Sequence, residues 1–89
     1  MVRLFVKHRV ADYNAWRQVY DAFGPVQREL GVTAHAVCQD AADDAVVTIT
    51  HDFASLGAAK ALMADVRLRE AMAKAGVVGA LDVWFTTIR

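Results

Sequence analysis

Three histidines and a run of aromatic residues are the parts of this sequence that could do chemistry. His8 lies near the end of an alternating apolar run, and Tyr13 and Trp16 follow it within the stretch KHRVADYNAW, 7–16. His51 occupies a second alternating run, and His35 a third and weaker one. Imidazole is the side chain most easily poised near neutral pH as a general acid or base. That makes His8 the candidate acid or base and His51 a second polar group. Tyr13, one turn into the helix that follows, is the candidate hydrogen-bond donor for orienting a substrate carbonyl or phenolate. Trp16, Tyr20, Phe23 and Trp84 are candidate substrate-binding walls, with Trp84 able to face either a cleft or a partner subunit.

Each of these has a plainer reading. A histidine on an apolar face can simply be hydrogen-bonded to a tyrosine or carboxylate, and Tyr13, Trp16, Tyr20 and Phe23 at helical spacing form a core stripe. Tyrosine and tryptophan nevertheless carry a polar atom that needs a partner when buried. The three imidazoles could meet at a metal only if His35 shared the facing of His51, and no HxH pair supports that, so no metal ligands are assigned and no cofactor is expected. Cys38 has neither a CxxC partner nor a helix N-terminus to activate it and reads as inert. Asp12 reads as a helix cap, Arg17 as surface at the fringe of a cleft, and Arg67 and Arg69 as a solvated face. No Gly-rich phosphate loop, GxSxG elbow or HExxH motif is present.

The elements that must position these residues follow from periodicity. Residues 2–10 alternate, with Val2, Leu4, Val6, His8 and Val10 on one face and Arg3, Phe5, Lys7 and Arg9 on the other, as in a strand with one face on a core. Asp12 caps a helix carrying Tyr13, Trp16, Val19, Tyr20 and Phe23. Gly24-Pro25 interrupts it, and a short piece over 25–30 stops at Gly31. Strands are expected over 32–38 and 45–53, separated by the polar turn 39–44. Ser55 caps a second helix, Asp65 a continuation of it that Gly76 ends, and Gly79 precedes a last strand over 81–88.

The order β-α-β-β-α-β is that of the ferredoxin-like split βαβ arrangement: α+β, one four-stranded antiparallel sheet with both helical segments on one face. The first and third strands are expected to be neighbours. Read as parallel, they would carry His8 and His51 to the same end, about one 4.8 Å strand spacing apart. Eighty-nine residues make a single domain, 1–89, near the small end of what folds alone. An apolar share of 56% is more than one small core can hide. A homodimer covering the helix-free face, with Phe5, Val46, Thr48 and Thr50, accounts for the excess. Ten basic and ten acidic residues, interspersed, leave no patch for nucleic acid. No apolar run approaches the roughly 20 residues of a membrane span. With a single cysteine the expected location is cytoplasmic.

The passage LFVKHRVADYNAW, the stretch VRLREAMAKAGVVG and the aromatic strand DVWF resemble small proteins of the dimeric α+β barrel superfamily. Within it the chain is most similar to the antibiotic-biosynthesis monooxygenase-like and polyketide-cyclase-like proteins, over residues 2–88. The resemblance implies two sheets facing each other as an eight-stranded barrel, with a ligand cleft between sheet and helices of each subunit. Members include cofactor-independent oxygenases of aromatic polyketides, cyclases and isomerases, haem-degrading enzymes and proteins without known activity. The monooxygenases use asparagine, tryptophan, tyrosine and arginine around an electron-rich substrate. Those residue types occur here as Asn14, Trp16, Tyr13 and Arg17, without a position-by-position match that would transfer a role. The haem-degrading members usually supply a helical histidine, whereas all three histidines here fall in expected strands. The implied function is binding of a small hydrophobic, aromatic or polyketide-like molecule, with cofactor-independent monooxygenation, cyclisation or isomerisation. The alternative is a non-catalytic ligand-binding or stress-associated dimer whose histidines are structural.

Overall fold

The computed structural model describes residues 1–89. In chain order the elements are β1 (Val2–Val10), α1 (Tyr13–Ala22), α2 (Gly24–Glu29), β2 (Ala34–Gln39), β3 (Val46–Phe53), α3 (Leu56–Ala64), α4 (Val66–Ala75) and β4 (Val77–Thr87). The strands form one sheet in the order β2-β3-β1-β4, antiparallel throughout. This is the ferredoxin-like α+β arrangement. No helix is long and apolar enough to cross a membrane.

The helices begin and end where local chemistry directs. The Asp12 carboxylate accepts from the Ala15 amide at 3.1 Å, and the Ser55 hydroxyl from that of Ala58 at 3.2 Å. Pro25 occupies the first turn of α2, where its missing amide costs nothing. Asp65 separates α3 from α4 in an extended conformation and caps the second through the Arg67 amide at 2.8 Å. Gly76, at φ 78°, closes α4 in the left-handed region that favours glycine.

Alternation along β1 and β3 sets the layers. Leu4, Val6, His8 and Val10, with Val47, Ile49, His51 and Phe53, face the helices and are buried. They pack in two clusters. One joins Leu4, Val6 and Phe53 to Phe23, Ala59 and Leu62; the other joins Val10, Val47 and Ile49 to Trp16, Tyr20 and Ala75. The opposite face carries Phe5, Thr48, Thr50 and Trp84, with Phe5 and Trp84 stacked at 5.1 Å across the β1–β4 register. Arg3 and Asp52, paired in register, form a two-pronged ion pair at 2.7 and 3.0 Å at one end of that face.

Two expectations from sequence need correcting. The strands β1 and β3 are adjacent but antiparallel: Leu4 pairs with His51, and His8 with Val47. The two histidines share a face but lie four positions apart along it, about 13 Å at a rise of ~3.3 Å per residue. A single βαβ crossover makes β1 and β2 parallel, and β3, a hairpin partner of β2, then has to oppose both. The last strand also begins at Val77, directly after the Gly76 cap, rather than after Gly79. Gly79 lies inside it at φ 77°, where the register against β1 shifts between Lys7 and Arg9. This bulge sits opposite His8, which has no paired residue on β4.

Candidate functional site

The helix-facing side of β1 and β3 and the inner faces of all four helices enclose a cavity where the two core clusters meet. Val6, Ile49, Leu62, Met63, Leu68 and Met72 supply much of its apolar wall, with Trp16, Val19 and Phe23. Its polar lining comes from His8, Tyr20, Gln27 and His51. The space amounts to about 520 Å³ including its open mouth, of which about 50 Å³ can hold the centres of water-sized molecules.

His8 forms one pole. It is 5% exposed, and neither ring nitrogen has a hydrogen-bond partner in the protein. Burial holds its pKa below the usual histidine value, so the ring is neutral at pH 7. Trp16 packs on it with ring centroids 5.8 Å apart. The Tyr13 phenol is not hydrogen-bonded to His8. It lies half-buried beyond Trp16, and its hydroxyl accepts from Arg17 at 3.4 Å, a partner one helical turn ahead.

Tyr20 forms the other pole. Trp16 and Tyr20, four residues apart on α1, stack at 5.0 Å, so the rings of Tyr13, Trp16 and Tyr20 form a column along the helix. The Tyr20 hydroxyl lies 2.9 Å from His35 Nδ1 and 3.3 Å from His51 Nε2. The β2–β3 register pairs His35 directly with His51, which puts both rings on the helix side. Burial pushes the Tyr20 phenol up to about 12. Burial, reinforced by neighbouring His35, brings His51 down to about 4. The second nitrogen of His51, Nδ1, is buried without a protein partner.

Similarity to proteins of known structure follows this architecture. No family model and no curated protein sequence matches the chain. Solved structures do. SnoaB, a cofactor-independent oxygenase from Streptomyces nogalater, superposes on 99% of this chain over 92% of its own, with a TM-score of 0.80 at 12% identity. A Deinococcus radiodurans protein described as an antibiotic biosynthesis monooxygenase covers 100% of this chain and 93% of its own, at 0.76 and 19%. One so described from Caulobacter crescentus covers 99% and 90%, at 0.80 and 15%. The fold is that of the antibiotic biosynthesis monooxygenases.

Within this fold, the residues singled out from sequence separate into three groups. His8, Trp16, Tyr20, Phe23 and His51 line the cavity. Tyr13 stands outside it. Trp84 lies on the opposite face of the sheet, 41% exposed, because it pairs with Phe5 and shares its facing. Asn14 is exposed, and Arg17 pairs with Asp21 at 2.9 Å while its guanidinium lies 5.6 Å over the Tyr20 ring.

Of the residues in the cavity region, Gln27 was not legible from sequence, and the facing of His35 was open. Gln27, 4% exposed, comes from α2, which is too short to show a periodic face. His35 is exposed and joins Tyr20 and His51 only through a register that the weak alternation of β2 leaves open. The convergence of three imidazoles does not form, since His8 lies at the far end of the sheet face.

Proposed function

We propose that this protein binds a small, flat, hydrophobic molecule in the cavity, an aromatic or polyketide-like compound, and oxygenates it without a cofactor. The observation that carries the reading is His8. A buried polar atom without a partner costs about 1–3 kcal/mol, and His8, which lines the apolar cavity, carries two of them. A ligand hydroxyl or carbonyl would satisfy one, and a neutral imidazole can then take a proton from an acidic O–H or C–H. Oxygenation without a cofactor requires the substrate itself to supply electrons to O₂, which deprotonation makes possible. The same proton transfer without oxygen gives cyclisation or isomerisation. The similarity to SnoaB, described as a cofactor-independent oxygenase, favours the oxygen-using branch. Tyr20, rather than Tyr13, reaches the cavity, its hydroxyl lying between His51 and His35, with Trp16 and Phe23 as walls.

The assembly in this reading is a homodimer. Only 16 of 89 residues are buried in the isolated chain, though 56% are hydrophobic. The Phe5–Trp84 stack on the helix-free face is suited to burial against a second copy. An unpaired, exposed Cys38 fits a reducing, cytoplasmic location.

One observation favours a second, non-catalytic reading. Trp16, Tyr20 and Phe23 are at most 9% exposed and themselves fill much of the cleft, as in a binding or stress-associated dimer with structural histidines. Oxygen uptake with a polycyclic phenol bearing an acidic C–H separates the two. The enzyme reading expects consumption that His8→Gln abolishes while the dimer persists in sedimentation. No uptake, together with lower thermal stability in His8→Gln and no chemical-shift change of the Trp16 indole on adding the phenol, would refute it.

A further inference from the structure

We propose that His51, Tyr20 and His35 form a proton relay joining the cavity to solvent, with His51 Nδ1 as the receiving atom and His35 as the exit. The inference rests on the reading of the cavity as a proton-transfer site, and it adds a second acid–base group and a route to water. Its basis is the geometry of one hydroxyl between two imidazoles. The β2–β3 register sets His35 and His51 side by side, and the Tyr20 oxygen lies within hydrogen-bond reach of one nitrogen of each. His51 lines the cavity and is buried, while His35 is exposed. The three groups therefore run from inside to outside.

Counting protons couples the tautomers of the two histidines. The phenol has a single proton and can donate to only one imidazole; the other must donate its own N–H to the phenol oxygen. The relay assigns the phenol proton to the shorter contact, 2.9 Å to His35 Nδ1. His51 then donates from Nε2 at 3.3 Å, and its Nδ1 carries a bare lone pair, buried and without a protein partner. A proton delivered to that atom displaces the Nε2 proton onto Tyr20, which passes its own to His35 Nδ1; His35 Nε2 releases one to water. One proton enters and one leaves, and no ion remains in the low-dielectric interior. The tautomers are exchanged in the process. The reverse transit, with His51 donating from Nδ1, restores them, so the relay supports one deprotonation and one reprotonation per cycle.

The surroundings suit transit rather than storage. Burial makes both a His51 imidazolium and a Tyr20 phenolate unfavourable at pH 7. Arg17, 5.6 Å over the Tyr20 ring, is itself paired with Asp21, and Asp52 points to the other sheet face, where Arg3 holds it. Neither carboxylate touches the relay.

The test uses protein carrying ¹⁵N-labelled histidine, as wild type, His35→Ala and Tyr20→Phe. Wild type is expected to show His51 protonated at Nε2. In His35→Ala the phenol loses its acceptor and turns to His51 Nε2, so His51 is expected to switch to the Nδ1–H tautomer. Exchange of the His51 ring proton with water should slow by about a hundredfold, the lower end of what a positioned proton-transfer group contributes. Backbone amide protection around Tyr20 should stay unchanged. A merely structural hydrogen bond predicts equal or faster exchange in His35→Ala. Tyr20→Phe should slow His51 exchange and spare His35; if that variant does not fold, His35→Ala decides alone, because His35 is exposed. An unchanged or faster exchange rate in His35→Ala, or a wild-type His51 protonated at Nδ1, overturns the relay. No readout needs a substrate, so failure here is distinct from failure of the oxygenase reading.

Discussion

Stability should fall steeply between pH 7 and pH 5, and His51 should be the main cause. In the folded protein its pKa is about 4, lowered first by burial and then by His35, against about 6.5 for a free histidine. Between those values the unfolded chain binds a proton that the folded chain refuses, so stability rises with pH in that window. The contribution is complete above about pH 6.5 and is lost as pH falls towards 4. A tenfold difference in proton affinity between the two states is worth ~1.4 kcal/mol. The loss is therefore about 2 kcal/mol by pH 5 and about 3 kcal/mol near pH 4. Burial lowers His8 in the same direction, and this adds to the slope. The carboxylates Asp43, Asp52 and Asp65, held low by their arginine partners, titrate below this range and leave pH 5–7 to the histidines. Urea unfolding at fixed protein concentration reads the effect. With a slope of ~1 kcal/mol/M for a chain of this size, the midpoint should drop by about 2 M between pH 7.5 and pH 5. His51→Gln should remove most of that drop. A wild-type midpoint that is flat over this range, or a His51→Gln variant with the wild-type slope, refutes the reasoning.

Two further outcomes follow from the sheet. Gly79→Ala should destabilise by about 1–2 kcal/mol in urea unfolding at pH 7.5, although open space surrounds the position, because its φ of 77° strains any residue with a Cβ; equal stability would mean the bulge relaxes to another register. Trp84→Glu should abolish dimerisation, with the sedimentation of a 9.7 kDa monomer at micromolar concentration and an unchanged circular dichroism spectrum. A persisting dimer would place the interface elsewhere.

The fold was legible because β1 and β3 alternate without interruption and α1, α3 and α4 carry explicit caps. Asp12, Ser55, Asp65 and Gly76 all cap where their types suggest. Register was not legible, and the site depends on register. Alternation assigns His8 and His51 to a face, but only the opposed direction of β1 and β3 separates them by about 13 Å. Tyr13 and Tyr20 fall in the same helical stripe. Which of them meets a histidine depends on where α1 crosses the sheet, and that is a tertiary property. Trp84 was ambiguous because β4 mixes apolar residues on both faces, and its pairing with Phe5 decides the matter.

The cavity's size bears on how any ligand enters. About 50 Å³ for water-sized centres accommodates a few waters, well short of the ~300 Å³ or more of a typical small-molecule pocket. A ring-sized ligand must therefore displace part of the wall. The sheet side is fixed by continuous hydrogen bonding from β2 to β4 and by Val47, Leu4 and Phe53, which have no exposed surface. The α1 side is held by stacked aromatic rings. On the remaining side, Met63, Leu68 and Met72 are only partly buried, and unbranched methionine repacks at small cost. The chain there breaks at Asp65, the non-helical residue between α3 and α4. That wall can yield without unpairing a strand or exposing His8. In the proposed binding reading, the two polar poles would keep their places on the sheet while the apolar side adjusts to the ligand.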